Sequence, residues 1–263
     1  MIKNIPFLIS LMVLSGLLSS CKKVIQLNLN TSSPQIVIQG DLFDHEGPYT
    51  VKISRSVNFY DANVFPAVSG ATVTITDNLG NSDHLTESSP GLYITSTLHG
   101  IPGRTYTLQV NADGQTYTAS STMPVPIDIE TVYFQKSLFG NNIFPGITFI
   151  DPPNVTNYYR LIYFINNIQQ NDINVTDDKL DAGKKINYLI RPLDTDNKLQ
   201  AGDYVTIWLE TVDQGVYEYF RTADTGNRGG QLTSPANPTS NISNGALGYF
   251  NACSVRTLSA VVP

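Results

Sequence analysis

The chain has 263 residues and a formal net charge of −6, with a sequence pI near 4.9. Nucleic-acid binding needs a basic surface, so the excess of 22 acidic over 16 basic residues argues against a nucleic-acid partner. Only 14% of the residues are charged, and 19 Gly and 15 Pro interrupt short alternating runs. This composition is typical of an all-β protein, and the length allows two modest domains or one large domain.

The first residues have the pattern of a secretory signal. Lys3 precedes an apolar run over residues 5–18, which is too short to span a bilayer and fits the core of a signal peptide. Leu18-Ser19-Ser20-Cys21 then matches the lipobox of bacterial lipoproteins. We therefore expect residues 1–20 to be removed and Cys21 to carry the lipid that attaches the protein to a membrane. A plain signal peptide with an incidental cysteine, or a membrane anchor helix, is the alternative.

Residues 21–34 are polar and predict a tether, and residues 35–124 predict a first β domain. Within it, apolar and polar side chains alternate along about seven short runs separated by Gly, Asn and Asp turns, which is the spacing of a β-sandwich. Gly70-Ala71-Thr72-Val73, Gly91-Leu92-Tyr93 and residues 103–108 resemble the prealbumin-like or carboxypeptidase-regulatory type of Ig-like sandwich. That resemblance implies a spacer or docking module, because a fold alone implies no activity.

Residues 125–263 predict a second β-rich domain, separated from the first by the stiff linker Pro124-Val125-Pro126. Residues 158–165 are apolar at nearly every position, which predicts a central strand covered on both faces. Arg160 is the exception in this strand. In the later strand over residues 204–209, Trp208 lies on the face opposite the aliphatic residues.

One short helix is predicted in the second domain, over residues 214–223. Val216, Phe220 and Ala223 follow at helical spacing. Thr211 has the capping-box position, and Asp213 is the competing N-cap.

A set of short motifs occurs in order along the chain. They are residues 49–56, Gly70-Ala71-Thr72-Val73, Asn157-Tyr158-Tyr159-Arg160, Asp177-Asp178, Gly202-Asp203, Tyr217-Glu218-Tyr219-Phe220 and residues 241–250. Together they resemble an uncharacterised family of Bacteroidetes outer-membrane lipoproteins, domain of unknown function 4249. The resemblance implies genes near TonB-dependent receptors, and hence an accessory role in uptake or a contact with the cell envelope. It implies no catalytic or binding residues.

Lys22-Lys23 follow the predicted lipidation site. Lipoproteins that these bacteria send to the cell surface often carry acidic residues there instead. The cell surface and the periplasmic face of the outer membrane therefore both stay open as the location of the protein.

No strong metal motif is present. His45, His84 and His99 lack the spacing of a zinc site, so we interpret them as solvated loop residues. The richest carboxylate cluster is interpreted as solvated loop charge, with a calcium site as the alternative; it consists of Asp172, Asp177, Asp178 and Asp181. Asp194-Thr195-Asp196-Asn197 predicts a hairpin turn with the same alternative. Neither a metal nor a cofactor is therefore expected.

Two further features are candidates for ligand contact. We expect Arg160 to form an ion pair with one of these carboxylates. The alternative is that its side chain points into a ligand pocket. Phe59, Tyr60 and Phe65 lie in one loop. We expect these aromatic side chains to fold back as a lid over the core of the sandwich. The alternative is an exposed surface that binds a sugar or a partner.

The function predicted from these observations is non-enzymatic. Cys253 is interpreted as a buried inert thiol, and neither a phosphate-binding loop nor a nucleophile elbow is present. The leading hypothesis is a binding or accessory module, lipid-anchored in the outer membrane, that works with a TonB-dependent receptor in nutrient uptake and takes a glycan or peptide ligand. The alternative is a structural or adhesive envelope protein. A third hypothesis, hydrolysis of envelope glycans, requires a carboxyl pair about 5–10 Å apart in a cleft.

Overall fold

The computed structural model describes residues 33–58, 61–138, 140, 142–179, 182–192, 198–228 and 237–263. The predicted signal peptide, Cys21 and most of the tether lie outside the described residues, as do Phe59, Tyr60, Asp181 and residues 194–197. Residues 34–263 form one compact unit. Within the described part of the chain, no helix combines the length and the apolar character that crossing a membrane requires.

The described residues are mainly β, as the alternating sequence predicts, with sixteen strands and one helix. The strands of the first half are β1 (Ile36–Phe43), β2 (Thr50–Arg55), β3 (Thr72–Asp77), β4 (Ser82–His84), β5 (Thr86–Ser89), β6 (Leu92–Ile94), β7 (Thr105–Ala112) and β8 (Gln115–Thr122). The second half contains β9 (Ile129–Lys136), β10 (Ile143–Ile150), β11 (Tyr158–Ile165), β12 (Ile168–Gln169), β13 (Asn174–Asp177), β14 (Lys185–Leu189), β15 (Tyr204–Val212), α1 (Gln214–Arg228) and β16 (Leu247–Val261). The prediction of an all-β fold with one short helix is confirmed.

Nine strands form a central sheet that takes strands from both halves of the chain. Eight of them follow in the order β12-β11-β15-β16-β1-β2-β6-β5, and β13 pairs with β11. The contact that joins the halves is the parallel pair of β1 and β16, in which Val37 lies opposite Leu247. Gly248 has φ +97°, and a Cβ at this position would collide with the backbone of Ile38. Glycine is therefore required where β16 approaches β1.

The central sheet crosses the domain boundary predicted at residues 124–126. Strand β1 belongs to the first predicted domain and β16 to the second. A pair formed by strands near opposite ends of the chain leaves no local pattern in the sequence, whereas a proline-rich linker does. Separate folding of residues 35–124 and 125–263 stays a prediction.

The first core lies between one half of the central sheet and a four-stranded sheet with the order β4-β3-β7-β8. Alternate residues of each strand point into it: Ile38 and Leu42 from β1, Ile53 from β2, and Ile75 and Leu108 from the facing sheet. This is the β-sandwich that the turn spacing predicts.

The second core lies between the other half of the central sheet and a three-stranded sheet with the order β14-β10-β9. Leu161 of β11 and Leu209 of β15 meet Phe149 of β10 there. Because side chains alternate along a strand, Arg160 and Glu210 point to the opposite, outer face of the central sheet.

The helix α1 begins at the predicted residue and extends beyond the predicted end. Asp213 is its N-cap rather than Thr211, because Asp213 Oδ1 accepts a hydrogen bond from the backbone N–H of Val216 at 2.9 Å. Val216 and Phe220 are buried one helical turn apart. They pack α1 onto the outer face of the central sheet and so cover part of it.

Candidate functional site

The candidate functional groups lie on the outer face of the central sheet, on four adjacent strands. Asp41 on β1 lies opposite Asn251 on β16, and Glu210 on β15 lies opposite Arg160 on β11. Strands β15 and β16 are neighbours, and the residue opposite Glu210 on β16 is Val255 rather than Asn251, so the two pairs are offset along the sheet. Because these strands are distant in sequence, no short motif contains the four residues.

Arg160 forms the ion pair that its position in an apolar strand predicts. Its Nη1 lies 3.1 Å from Glu210 Oε2, and the two side chains are 16% and 0% exposed. The ring of Phe220 on α1 covers the guanidinium, with 3.8 Å between the Cζ atom and the ring centroid. The predicted structural ion pair is confirmed, and its partner is Glu210 rather than a carboxylate of the 172–181 loop.

A second carboxyl group, that of Asp41, lies beside this pair. It accepts hydrogen bonds from Asn251 Nδ2 at 3.1 Å and from the Tyr249 hydroxyl at 3.2 Å. Burial raises the pKa of Asp41, and the positive charge of Arg160 opposes that shift only in part. Burial also raises the pKa of Glu210; Arg160 opposes this, and the negative charge of Asp41 adds to it.

The buried cluster of Arg160, Glu210, Asp41 and Asn251 has two carboxyl groups and one guanidinium. Glu210 Oε1 and Asn251 Oδ1 are both buried and have no hydrogen-bond donor within the described residues. The side chains of Asn251 and Glu210 interact. A proton on one of the two carboxyl groups removes the excess negative charge of the cluster. The geometry therefore favours a carboxyl pair that holds one proton beneath α1.

Cys253 is buried on the same sheet face, as the sequence predicts. Its Sγ accepts a hydrogen bond from Asn251 Nδ2 at 3.3 Å. Burial, together with the charges of Glu210 and Asp41, raises the pKa of the thiol well above its ordinary value. Because the thiolate is the reactive form, the environment of Cys253 opposes a nucleophilic role.

Next to the buried cluster, the outer face of the sheet is open and forms a cleft of about 240 Å³. Strands β1, β2 and β16 form its floor, and Tyr219 of α1 lines it. Its lining residues are Val37, Gln39, Lys52, Ser54, Ser56, Phe65, Tyr219, Pro238, Leu247 and Gly248. The ring of Tyr219 packs on that of Tyr249 with 4.9 Å between centroids. Since Tyr249 bonds Asp41, this aromatic pair separates the cleft from the buried cluster.

Two polar side chains of the cleft, Gln39 and Lys52, are available to a ligand, and a third, Ser54, lines the cleft but is largely buried. Gln39 and Lys52 lie directly opposite each other on β1 and β2, and Ser54 follows two residues later on the same face. None of these three side chains forms a hydrogen bond or ion pair with another described residue. Donors and acceptors therefore converge on the cleft without internal partners.

Phe65 differs from the interpretation favoured by the sequence. It is 53% exposed and lines the cleft, so it does not fold back as a lid on the sandwich core. The backbone of its loop is held to β2, because the N–H of Arg55 donates to the carbonyl of Pro66 at 2.8 Å. This backbone hydrogen bond holds the ring of Phe65 beside the face of the sheet rather than over the core. Phe59 and Tyr60, the other aromatic residues of the loop, lie outside the described residues.

A second cleft, of about 370 Å³, lies at the far end of the central sheet. Its polar groups bond one another: Asn166 Nδ2 donates to Asp203 Oδ1 at 2.9 Å, and the backbone N–H of Gln200 donates to Asp203 Oδ2 at 2.7 Å. These bonds shape the turns that join the strands and occupy the carboxylate of Asp203. The described residues that line this cleft include no aromatic side chain, whereas Phe65 and Tyr219 line the smaller cleft, which is therefore the better candidate for a ligand site.

The aspartates of the 172–181 loop do not converge. The described partners are the Tyr163 hydroxyl for Asp172 (2.7 Å), Lys179 for Asp177 (3.1 Å) and the backbone N–H of Asn157 for Asp178 (2.9 Å). In the described part of the chain, no three Asp, Glu, His or Cys side chains are arranged to hold a metal ion. Asp181 lies outside that part, so the calcium alternative stays a prediction. His45, His84 and His99 are exposed.

Sequence reasoning missed Asp41, Glu210 and the cleft residues Gln39 and Lys52. Glu210 carried a usable signal, because a charged residue in the apolar run of β15 indicates a buried charge that needs a partner. The alternation along β1 indicates that Gln39 and Asp41 share one face. It does not indicate which other elements pack against each of them.

Comparisons with known proteins identify a family but no activity. Among solved structures, a segment with two fibronectin type-III domains from chicken tenascin is similar at 15% identity and a TM-score of 0.21, over 69% of this chain and 92% of that chain. No curated protein matches the chain. The family model for a domain of unknown function, DUF4249, matches residues 22–259. The chain therefore belongs to the DUF4249 family.

Proposed function

We propose that this protein is a lipid-anchored, non-catalytic binding module of the outer membrane, which holds a small polar ligand in the cleft between β1, β2 and α1. The observation that carries the proposal is the lining of that cleft. Gln39 and Lys52 present unused donors and acceptors beside the exposed ring of Phe65. Ligand sites typically combine apolar and aromatic walls with a few convergent polar groups.

The position of the carboxyl pair favours binding over glycan hydrolysis. A glycoside hydrolase needs two carboxyl groups on either side of the bond that it cleaves. Asp41 and Glu210 do not line the cleft; they lie beneath α1 and are bound to Asn251 and Arg160. Their arrangement supports a structural role.

The anchor and the partner are proposed from the sequence. The lipobox Leu18-Ser19-Ser20-Cys21 supports attachment through Cys21. The resemblance to Bacteroidetes lipoproteins supports an accessory role beside a TonB-dependent receptor. A binding module held beside a receptor raises the effective concentration of the ligand at the receptor, which gives the cleft a use in uptake.

A gentle-detergent pull-down from native membranes tests the proposal. We expect the wild-type protein to be found in the outer-membrane fraction and to co-purify a TonB-dependent receptor in stoichiometric amounts. The Cys21→Ala variant should lose both the membrane fraction and the receptor. Wild-type protein that resides in the outer membrane without a receptor would contradict the accessory role. A Cys21→Ala variant that stays membrane-bound would contradict the lipid anchor.

A further inference from the structure

We propose that the ligand of the cleft is the uronic acid residue of an acidic glycan, bound through Lys52. The inference rests on the proposed binding function and names its ligand class. It depends on the charge, the aromatic ring and the size of the cleft between β1, β2 and α1.

The charge of the cleft comes from Lys52, the one Lys or Arg among its described lining residues, which also include no Asp or Glu. Other cations near the central sheet are paired: Arg55 with Asp113, Arg160 with Glu210, and Arg256 with Asp44. Lys52 has no carboxylate partner among the described residues. An ammonium group beside an amide and hydroxyls matches one carboxylate and its neighbouring hydroxyl groups.

The aromatic side of the cleft matches the other face of a sugar ring. Phe65 is half exposed, and Val37, Leu247 and Pro238 add apolar surface beside it. Pyranose rings have an apolar C–H face, and aromatic rings provide a large, rigid surface for such contacts. The amide of Gln39 can then bond hydroxyl groups at the rim of the sugar.

The size of the cleft selects a single residue of a glycan. Its volume of about 240 Å³ is below the range of about 300–1,000 Å³ that is typical of sites for drug-sized ligands. One saccharide unit fits such a space, while the rest of a glycan chain extends over the open sheet face.

Two other anions fit the cleft less well. Phosphate recognition typically uses the planar fork of Arg or the N-terminus of a helix, whereas here the charge is a single Lys and α1 contributes a residue from its middle. A peptide carboxylate is typically captured by a series of free backbone N–H groups. The backbone of β1 is paired on both sides, by β2 and by β16.

Isothermal titration of the purified mature protein tests the ligand class. The probes are the methyl glycosides and short oligomers of glucuronic and galacturonic acid, compared with their neutral glucose and galactose counterparts. A charge-assisted hydrogen bond contributes enough that the acidic sugars should bind about tenfold or more tightly. The Lys52→Met variant should lose that preference. The matched control is Lys136→Met, which removes an exposed strand lysine that does not line the cleft.

The outcomes separate the ligand class from the binding function. Equal affinity for acidic and neutral sugars, unchanged by Lys52→Met, would overturn the uronate inference while leaving a binding site. Binding of peptides with a free carboxylate, but not of uronates, would overturn it as well. If no saccharide or peptide binds and Phe65→Ala leaves receptor co-purification unchanged, the cleft is not the ligand site and the proposed function fails with it. Thermal unfolding of each variant checks that the fold is intact.

Discussion

The buried cluster and the cleft are adjacent regions of one sheet face, and α1 makes them different. Gln39 in the cleft and Asp41 in the cluster are two residues apart on β1 and point the same way. In the cluster, Glu210 and Asn251 are fully buried, so each charge there needs a partner or a proton. Over Gln39 the face is open, so polar side chains keep their binding capacity. Whether α1 covers that part of the sheet, rather than the type of residue, decides which polar groups are structural and which are available to a ligand.

Removing the guanidinium of the cluster is expected to have the largest effect on stability. Arg160→Met leaves Glu210 and Asp41 buried without their cation, and breaking a buried pair in this way costs about 3–5 kcal/mol. The matched control is Arg55→Met, because Arg55 pairs with Asp113 at the surface, where an ion pair contributes about 0–1 kcal/mol. Urea unfolding followed by circular dichroism measures both losses. Equal losses would show that α1 does not seal the cluster.

Neutralising Glu210 is expected to change the pH dependence of stability. The pKa of Glu210 is raised in the folded state above its ordinary value of 4.5, so above about pH 4.5 the folded protein holds a proton that the unfolded chain has released. The contribution of Glu210 to the free energy of unfolding therefore falls as the pH rises from 4.5 toward the pKa of the folded state. Glu210→Gln cannot titrate and keeps a donor for Asn251.

The measurement is the free energy of unfolding of wild type and Glu210→Gln at several pH values between about 5 and 8. The stability of wild type relative to the variant should decrease across that range, by at most about 1.4 kcal/mol per pH unit for a single proton. A constant difference would mean that Glu210 is already ionised in the folded protein.

The smallest effect on stability is expected for Phe65→Ala in the cleft. Surface substitutions usually change stability by less than about 0.5 kcal/mol, and Phe65 is half exposed. The same change should weaken ligand binding several-fold, because an aromatic contact contributes about 0.5–1.5 kcal/mol. Leu138→Ala is the control, since Leu138 is 90% exposed and does not line the cleft. A large loss of stability in Phe65→Ala alone would restore the interpretation of Phe65 as a core lid.

The sequence predicted most of the local structure because local structure depends on near neighbours. A nearly continuous apolar run predicted β11 at its observed bounds, although only one of its faces is fully buried rather than both, and helical spacing after Asp213 predicted the start of α1. The burial of Cys253 and the ion pair of Arg160 followed from charge and apolarity within a strand. Phe65 was misjudged, because nothing within its loop indicates which surface the ring will face.

What only the tertiary structure decided is which distant strands meet and what covers them. The parallel pair of β1 and β16 sets the register that places Asp41 opposite Asn251, and β15, the other neighbour of β16, contributes Glu210 to the same sheet face. The sequence by itself determined where these strands lie along the chain and which residues of each strand share a face. It could not determine which polar groups α1 would bury, because burial depends on contacts between elements far apart in the chain. Those contacts decide whether residues on the same outer face lie in a buried cluster or in an open cleft.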